Sequence, residues 1–354
     1  MLCNRDSPHI SGVLALCPEC LRRDDDRARG QIRRVHADSR RQFDLPESPP
    51  HNPSGITCSL CANACRIPPG EGGYCAVRRN AGGRIVGGDE TAPLDWYYDP
   101  MPTNCVGIPW CAGASERGTN NLAVFYRGCT FDCLFCQNWH FRQHRRMQRE
   151  LTPTELAGRA DRATTCICYF GGDPTPFLQH AFAASELARE AARDRPMRIC
   201  WETNGAMNPI LAHRMMDFSL DSGGCVKFDL KAWSPGVHRA LCGVDNQRTL
   251  SNFRMLAQRI PQRPDPPPLI ASTLLVPGYV DASEVAHVSA FIADCDPHIP
   301  HALLVFHPDF FLSDLPITPR AQAKECVAAA REAGLTRVRL GNVHLLGLEP
   351  EMLA

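Results

Sequence analysis

From about residue 120 the chain alternates short apolar runs with helix-like stretches. The runs cover 122–127, 165–170, 198–202, 225–230, 270–276, 302–307 and 337–340. Thr152-Pro153-Thr154-Glu155 reads as a capping box with proline at the first helical position. Thr318-Pro319 opens another helix, which Gly334 closes. Repeated β–α units require a parallel sheet. About six of them fit a partial TIM-like barrel, in which the loops after the strands carry the site. The expected fold class is therefore α/β: a partial (β/α)6 barrel over 119–354, preceded by a cysteine-rich N-terminal extension.

The loop after the first run is Gly128-Cys129-Thr130-Phe131-Asp132-Cys133-Leu134-Phe135-Cys136-Gln137-Asn138. Its thiols stand in C-x3-C-x2-C order. Three thiolates so close together can grip three corners of a [4Fe-4S] cube. A fourth iron then lacks a protein ligand, and an open metal position is where chemistry happens. The plainer alternatives are a structural zinc knuckle or chance clustering.

Bulk properties narrow the classes. A chain of 354 residues, 44% hydrophobic, can bury a large core, in two or three domains or in one barrel with an extension. Lysine plus arginine equals aspartate plus glutamate at 38 each, so no global field attracts nucleic acid or a membrane surface. No apolar run reaches a membrane span of roughly 18–20 residues. The start, Met1-Leu2-Cys3-Asn4, lacks a secretory apolar core, and the cytoplasm is the expected compartment. Nineteen cysteines there argue for metal and reducing conditions over a disulfide framework, and an odd count cannot pair fully.

Residues 1–50 read as an extension with a C-x2-C knuckle at Cys17 and Cys20, which needs two further ligands to hold a metal. The charged stretch 22–41 reads as a solvated helix with no assigned buried face, and 45–50 as a linker. Residues 51–118 form a cysteine-rich auxiliary metal module. Cys58, Cys61, Cys65 and Cys75 fall within 18 residues, and four thiols suffice for tetrahedral zinc or an auxiliary iron–sulfur cluster. Cys105 and Cys111, flanking Pro109-Trp110, are assigned to the same region. Buried free cysteines are the alternative.

Several runs end in chemically suggestive residues. Gly171-Gly172-Asp173-Pro174 follows the second; in isolation it is an ordinary turn, although glycines leave the backbone open to a ligand and the acid could meet an ammonium. Thr203-Asn204-Gly205 follows the third. Alternation turns Asp229 and Lys231 to one side at the end of the fourth, as an ion pair or as contacts to a charged ligand. The fifth runs into Val276-Pro277-Gly278 and the sixth ends at His307-Pro308-Asp309.

The cysteine spacing, with Phe135 just before the last thiol, resembles the radical S-adenosylmethionine (SAM) enzymes. That resemblance implies SAM chelated to the open iron and reductive cleavage to a 5′-deoxyadenosyl radical. Over roughly 120–310, Thr203-Asn204-Gly205, Asp229-Leu230-Lys231, Gly243-Val244-Asp245-Asn246 and Val276-Pro277-Gly278 resemble the pyruvate formate-lyase activating enzymes. By it, Phe135 packs near the adenine, Gly171, Gly172 and Asp173 hold the SAM amino group, and Thr203 and Asn204 lie near methionine and ribose. Asp229 and Lys231 line the site, and His307 lies at its rim. The cysteine module and Cys136-Gln137-Asn138-Trp139 instead resemble the AmmeMemoRadiSam-type radical SAM proteins. The implied reaction is hydrogen abstraction from a glycyl residue of a partner protein, with a peptide or small metabolite as the alternative substrate. The implied partners are a flavodoxin- or ferredoxin-like electron donor and a protein or peptide substrate, with no nucleic acid and no membrane.

His140, His144 and the basic run 142–149 read as a solvated helical face. Cys166, Cys168, Cys200, Cys225 and Cys326 read as buried core. No phosphate loop, nucleophile elbow or HExxH helix is present. From a different class, the alternative is a noncatalytic zinc-binding scaffold.

Overall fold

The computed structural model describes residues 7–143 and 150–347. His144 and the rest of the basic run to Arg149 lie outside them. The chain opens with helices α1 (Pro18–Arg23) and α2 (Asp26–Arg41). Two short antiparallel ladders follow, β1 (Ile56–Thr57) with β2 (Arg66–Ile67) and β3 (Arg79–Ala81) with β4 (Arg84–Val86). Then come β5 (Ala92–Pro100), β6 (Asn120–Tyr126), β7 (Glu150–Leu151), α3 (Pro153–Ala157), β8 (Thr164–Phe170), α4 (Leu178–Ala191), β9 (Arg198–Thr203), α5 (Pro209–Ser222) and β10 (Val226–Asp229). The chain continues through α6 (Pro235–Cys242), α7 (Gln247–Ala257), β11 (Leu269–Leu275), α8 (Ala282–Cys295), β12 (His301–Val305), α9 (Arg320–Glu332) and β13 (Val338–Gly341).

Among the described residues one sheet holds nine strands in the order β13-β12-β11-β10-β9-β8-β6-β5-β7. From β6 to β13 all neighbours are parallel and follow chain order, which is the winding of a partial barrel. The capping box forms as expected, with Thr152 and Glu155 bonded reciprocally. Strand β5, which the sequence pattern left within the cysteine-rich segment, runs antiparallel to β6 as part of this sheet.

The two faces of the sheet differ in chemistry. Ile167, Tyr169, Ile199, Trp201, Val226, Phe228 and Ala271 join one apolar core. The alternate positions Cys166, Cys168, Cys200, Cys225 and Ile270 form a separate cluster, and Lys227 sits opposite Glu202 in register. Closed barrels fill this interior with branched aliphatics. Here small thiols and polar groups leave room for a cavity.

Two expectations about the flanking residues are corrected. Helix α2 is not a solvated face: Ala28, Gln31, Ile32, Val35, His36, Ser39 and Arg40 are buried. Its inner face is half polar because it meets polar groups, so apolar periodicity does not reveal it. Cys105 and Cys111 do not join the Cys58–Cys75 module. The segment carrying them packs against the inner face of the sheet, where Trp110 lies on the thiol cluster. Among the described residues no helix is long and apolar enough to cross a membrane, and all eighteen cysteines are free of disulfides.

Candidate functional site

A cavity of about 1010 Å³ lies at the strand ends and runs down into the barrel. Cys129, Cys133 and Cys136 open into it, with Phe135, Gly171, Gly172, Asp173, Thr203, Asn204, Asp229 and Lys231. His307 does not line it; its side chain points to solvent.

The cysteine loop is pinned from several sides. Asp132 N and Leu134 N donate to the carbonyls of Cys242 and Leu241 at the end of α6, each at 2.9 Å. Phe131 N approaches Cys129 Sγ at 3.4 Å. Asn63 Nδ2 reaches Thr130 O at 2.7 Å. Behind the loop Asp132 is fully buried, 2.8 Å from His36 Nδ1 and bonded to Arg142. Burial alone would raise the Asp132 pKa, but the His36 hydrogen bond and the arginine charges more than offset it and hold the carboxyl below its ordinary range. Arg142 is therefore no solvated residue: it is buried against Asp132, with Cys129 and Cys136 nearby.

The glycine–glycine–acid turn is a close backbone crossing. Gly171 and Gly172 have φ of +71° and +55°. A Cβ on Gly172 would sit 2.2 Å from Tyr126 O, so only glycine fits. Asp173 is buried. Its Oδ1 accepts from Thr203 Oγ1 at 2.8 Å and Asn204 N at 3.1 Å, and its Oδ2 from Thr175 N at 3.1 Å. The carboxylate thus ties the second strand end to the third. Asn204 Nδ2 in turn donates to Thr130 Oγ1 at 2.8 Å, with Cys129 Sγ 4.0 Å away.

Asp229 and Lys231 form an ion pair at 2.7 Å, and Ser272 Oγ donates to Asp229 Oδ1 at 2.6 Å. Lys231 Nζ lies 5.6 Å from the Phe135 ring centre. Burial would lower the Lys231 pKa, but Asp229 and Cys133 outweigh it, and the ammonium is retained. Cations at Lys231 and Arg142 flank the three thiols; burial pushes Cys129 and Cys136 up, and a hydrogen bond with Cys242 holds Cys133 below its ordinary value. Among the described residues no three ligating side chains converge on one ion-sized point. Three thiols around a shared mouth, between two cations, suit a larger anionic iron–sulfur cluster.

Cys58, Cys61, Cys65 and Cys75 neighbour one another in the module whose turn docks beside this mouth. Ala62 N donates to Ala206 O at 2.9 Å, and Asn208 N to Leu60 O at 2.8 Å. Burial pushes the Cys65 thiol up to about 11. The Cys17 and Cys20 sulfurs lie 3.6 Å apart at the start of α1, where Cys17 is the N-cap residue.

The pattern of residues did not reveal His36, Asp132 and Arg142 as a unit, nor Lys227, Glu202 and Cys105, which meet lower in the cavity. For Lys227 a signal existed: it shares a strand face with Asp229.

Residues 123–292 match the sequence profile of the Radical SAM superfamily. An uncharacterised protein of Methanocaldococcus jannaschii is 27% identical over 296 residues, 81% of either chain. The isethionate sulfite-lyase activating enzyme of Desulfovibrio desulfuricans is 34% identical over 39% of this chain and 40% of its own. For the pyruvate formate-lyase 1-activating enzyme of Escherichia coli the identity is 26%, over 46% and 64%. These matches span less than two thirds of either activating enzyme. Streptococcus suis SuiB bound to S-adenosylmethionine superposes with a TM-score of 0.47 at 13% identity, over 63% of this chain and 50% of that one.

Proposed function

Because this chain is a radical SAM superfamily member, we propose that it generates a radical on a partner protein, in the manner of an enzyme that activates glycyl-radical enzymes. The cofactors are a [4Fe-4S] cluster and SAM, which together supply a 5′-deoxyadenosyl radical. Cys129, Cys133 and Cys136 are the proposed cluster ligands. The observation that carries the reading is that these three thiols, the Gly171–Gly172–Asp173 turn and the Thr203–Asn204 turn all line one cavity.

The protein's own part is to bind, orient and exclude water. Gly171 and Gly172 let the backbone close on Tyr126 and Gly128. Asp173 orders Thr203 and Asn204. Lys231, ion-paired with Asp229, offers a cation beside Phe135. Electrons come from a flavodoxin- or ferredoxin-like donor. Cys58, Cys61, Cys65 and Cys75 are the proposed ligands of an auxiliary zinc or iron–sulfur group. A peptide in place of a whole protein is the nearest alternative substrate, and the activating-enzyme relatives favour the protein.

Cys133→Ala should abolish 5′-deoxyadenosine formation by the reconstituted, dithionite-reduced protein. Product at the wild-type rate would remove the cluster assignment. Zinc alone, with no sulfur-to-iron absorbance in the anaerobic protein, would favour a metal-binding scaffold.

A further inference from the structure

Below the cysteine loop, the floor of the cavity holds a second reactive group. Cys105 Sγ lies 2.8 Å from Lys227 Nζ, which also reaches Glu202 Oε1 at 2.5 Å and Cys168 Sγ at 3.5 Å. Lys227 is 1% exposed. Burying an ammonium inside a barrel is costly unless it is paired, and here its partners are two thiols and a carboxylate. Burial would lower its pKa, but Cys105, Cys168 and Glu202 raise it well above the ordinary value, so the charge is kept.

Cys105 reaches this position on a loop shaped to deliver it. Gly107 lets the loop press onto the barrel wall, since a Cβ there would come 3.0 Å from Ile270 Cδ1 and 3.1 Å from Lys227 Cδ. Thr103 Oγ1 accepts from Cys105 N at 3.0 Å and fixes the turn. Cys105 and Glu202 both line the cavity that Cys129, Cys133 and Cys136 open into. Glu202 stands two residues before Asn204 on the same rising segment, a step of about 6.6 Å. Cys105 Sγ, 3.7 Å from Glu202 Oε1, therefore lies about one side-chain layer below Asn204. Burial pushes the Cys105 thiol up to about 11, so it carries its hydrogen at neutral pH.

We propose that Cys105 is a hydrogen-atom donor to carbon radicals formed in this cavity, and that Lys227 and Glu202 restore its proton. It rests on the radical chemistry proposed above. In the donation one S–H bond breaks and one C–H bond forms, and the unpaired electron passes to sulfur, because an S–H bond is weaker than an alkyl C–H bond. One electron from the flavodoxin- or ferredoxin-class donor then reduces the sulfur radical to a thiolate. Lys227, in contact with that sulfur, supplies the proton, and Glu202 relays a replacement from the cavity water. The device would quench a radical generated when no partner segment fills the cavity.

The test needs no partner. The full-length reconstituted protein is reduced with dithionite and given SAM in D2O, and the 5′-deoxyadenosine is analysed by mass spectrometry. Wild type should give product carrying solvent deuterium. Cys105→Ser and Cys105→Ala should lose the label, and Cys111→Ser should keep it. Lys227→Met should label the first turnover and lose label in later ones. A readout independent of turnover is modification of the cluster-free protein with methyl methanethiosulfonate: Cys105 should react from the cavity well before the buried Cys200. Unlabelled wild-type product, label retained in both Cys105 variants, or Cys105 reacting no faster than Cys200 would overturn the donor assignment while leaving SAM cleavage in place. Absence of 5′-deoxyadenosine altogether would overturn both.

Discussion

His36 Nδ1 stands 2.8 Å from Asp132 Oδ2, joining helix α2 to the middle of the cysteine loop. The other ring nitrogen faces the carbonyls of Arg239 and Ala240 at 3.0 and 3.1 Å, so one imidazole ties α2, the loop and α6 together. Gly243 makes the meeting possible: with φ of +76°, a Cβ there would lie 3.0 Å from His36 Nδ1 and 3.3 Å from Asp132 Cβ. His36→Ala leaves Asp132 short of one partner in a dry site. The expected cost is about 1–3 kcal/mol, measured by urea denaturation, with iron lost sooner from the reconstituted protein than from wild type. Unchanged iron retention would mean that α2 does not brace the loop.

Asp173 spends its oxygens on three protein donors, at Thr203, Asn204 and Thr175. Asp173→Asn exchanges one acceptor for a donor that faces N–H groups. Stability should fall by about 1.5–3 kcal/mol, the worth of a hydrogen bond to a charged group, and equilibrium dialysis should show weaker SAM binding. A variant that loses stability but binds SAM as tightly as wild type would assign Asp173 to the scaffold alone.

Gly172→Ala places a methyl 2.2 Å from Tyr126 O and 2.6 Å from Gly128 O, both backbone atoms that cannot swing aside. A loss above about 2 kcal/mol is expected, among the larger single-residue effects. Gly70 is the control. Its φ is +79° but a Cβ there meets nothing within 4 Å, so Gly70→Ala should cost only the conformational strain, about 1 kcal/mol. Equal losses from the two would show that the backbone crossing at Gly172 is not tight.

His301 is buried beneath the sheet, with Thr273 Oγ1 at 2.9 Å and Ser289 Oγ at 3.2 Å, and burial pushes its pKa down to about 3. The folded form therefore resists protonation that the unfolded chain accepts near the ordinary histidine value of 6.5. In that window the unfolded state binds more protons, so stability is full above pH 6.5 and drains as the pH falls toward 3. By pH 4 the loss from this residue should be about 3 kcal/mol. His301→Gln should flatten the acid limb of the curve of melting temperature against pH. An unchanged slope would place the acid sensitivity elsewhere.

Much of the barrel was legible in the sequence. Each parallel strand lay within a residue or two of its apolar run, because a strand buried on its helix-facing side must alternate or run apolar over a few residues. The C-x3-C-x2-C loop, the two glycines with Asp173, and Asp229 with Lys231 were visible for the same reason: their spacing is local. The strand-end rule then put them around one mouth, and only His307 fell outside it.

Contacts between distant segments stayed hidden. Helix α2 turns Gln31, His36, Ser39 and Arg40 inward, so its buried face has the composition of an exposed one. Arg142 sits in a basic run and owes its burial to Asp132, and Cys105 comes from a loop that meets Lys227 122 positions later. Spacing along the chain fixes which residues share a strand end or a loop. Which polar group becomes another's partner depends on how separate segments close over the open barrel, and that was decided only by tertiary packing, since a buried charge is stable only where the fold delivers its counterpart.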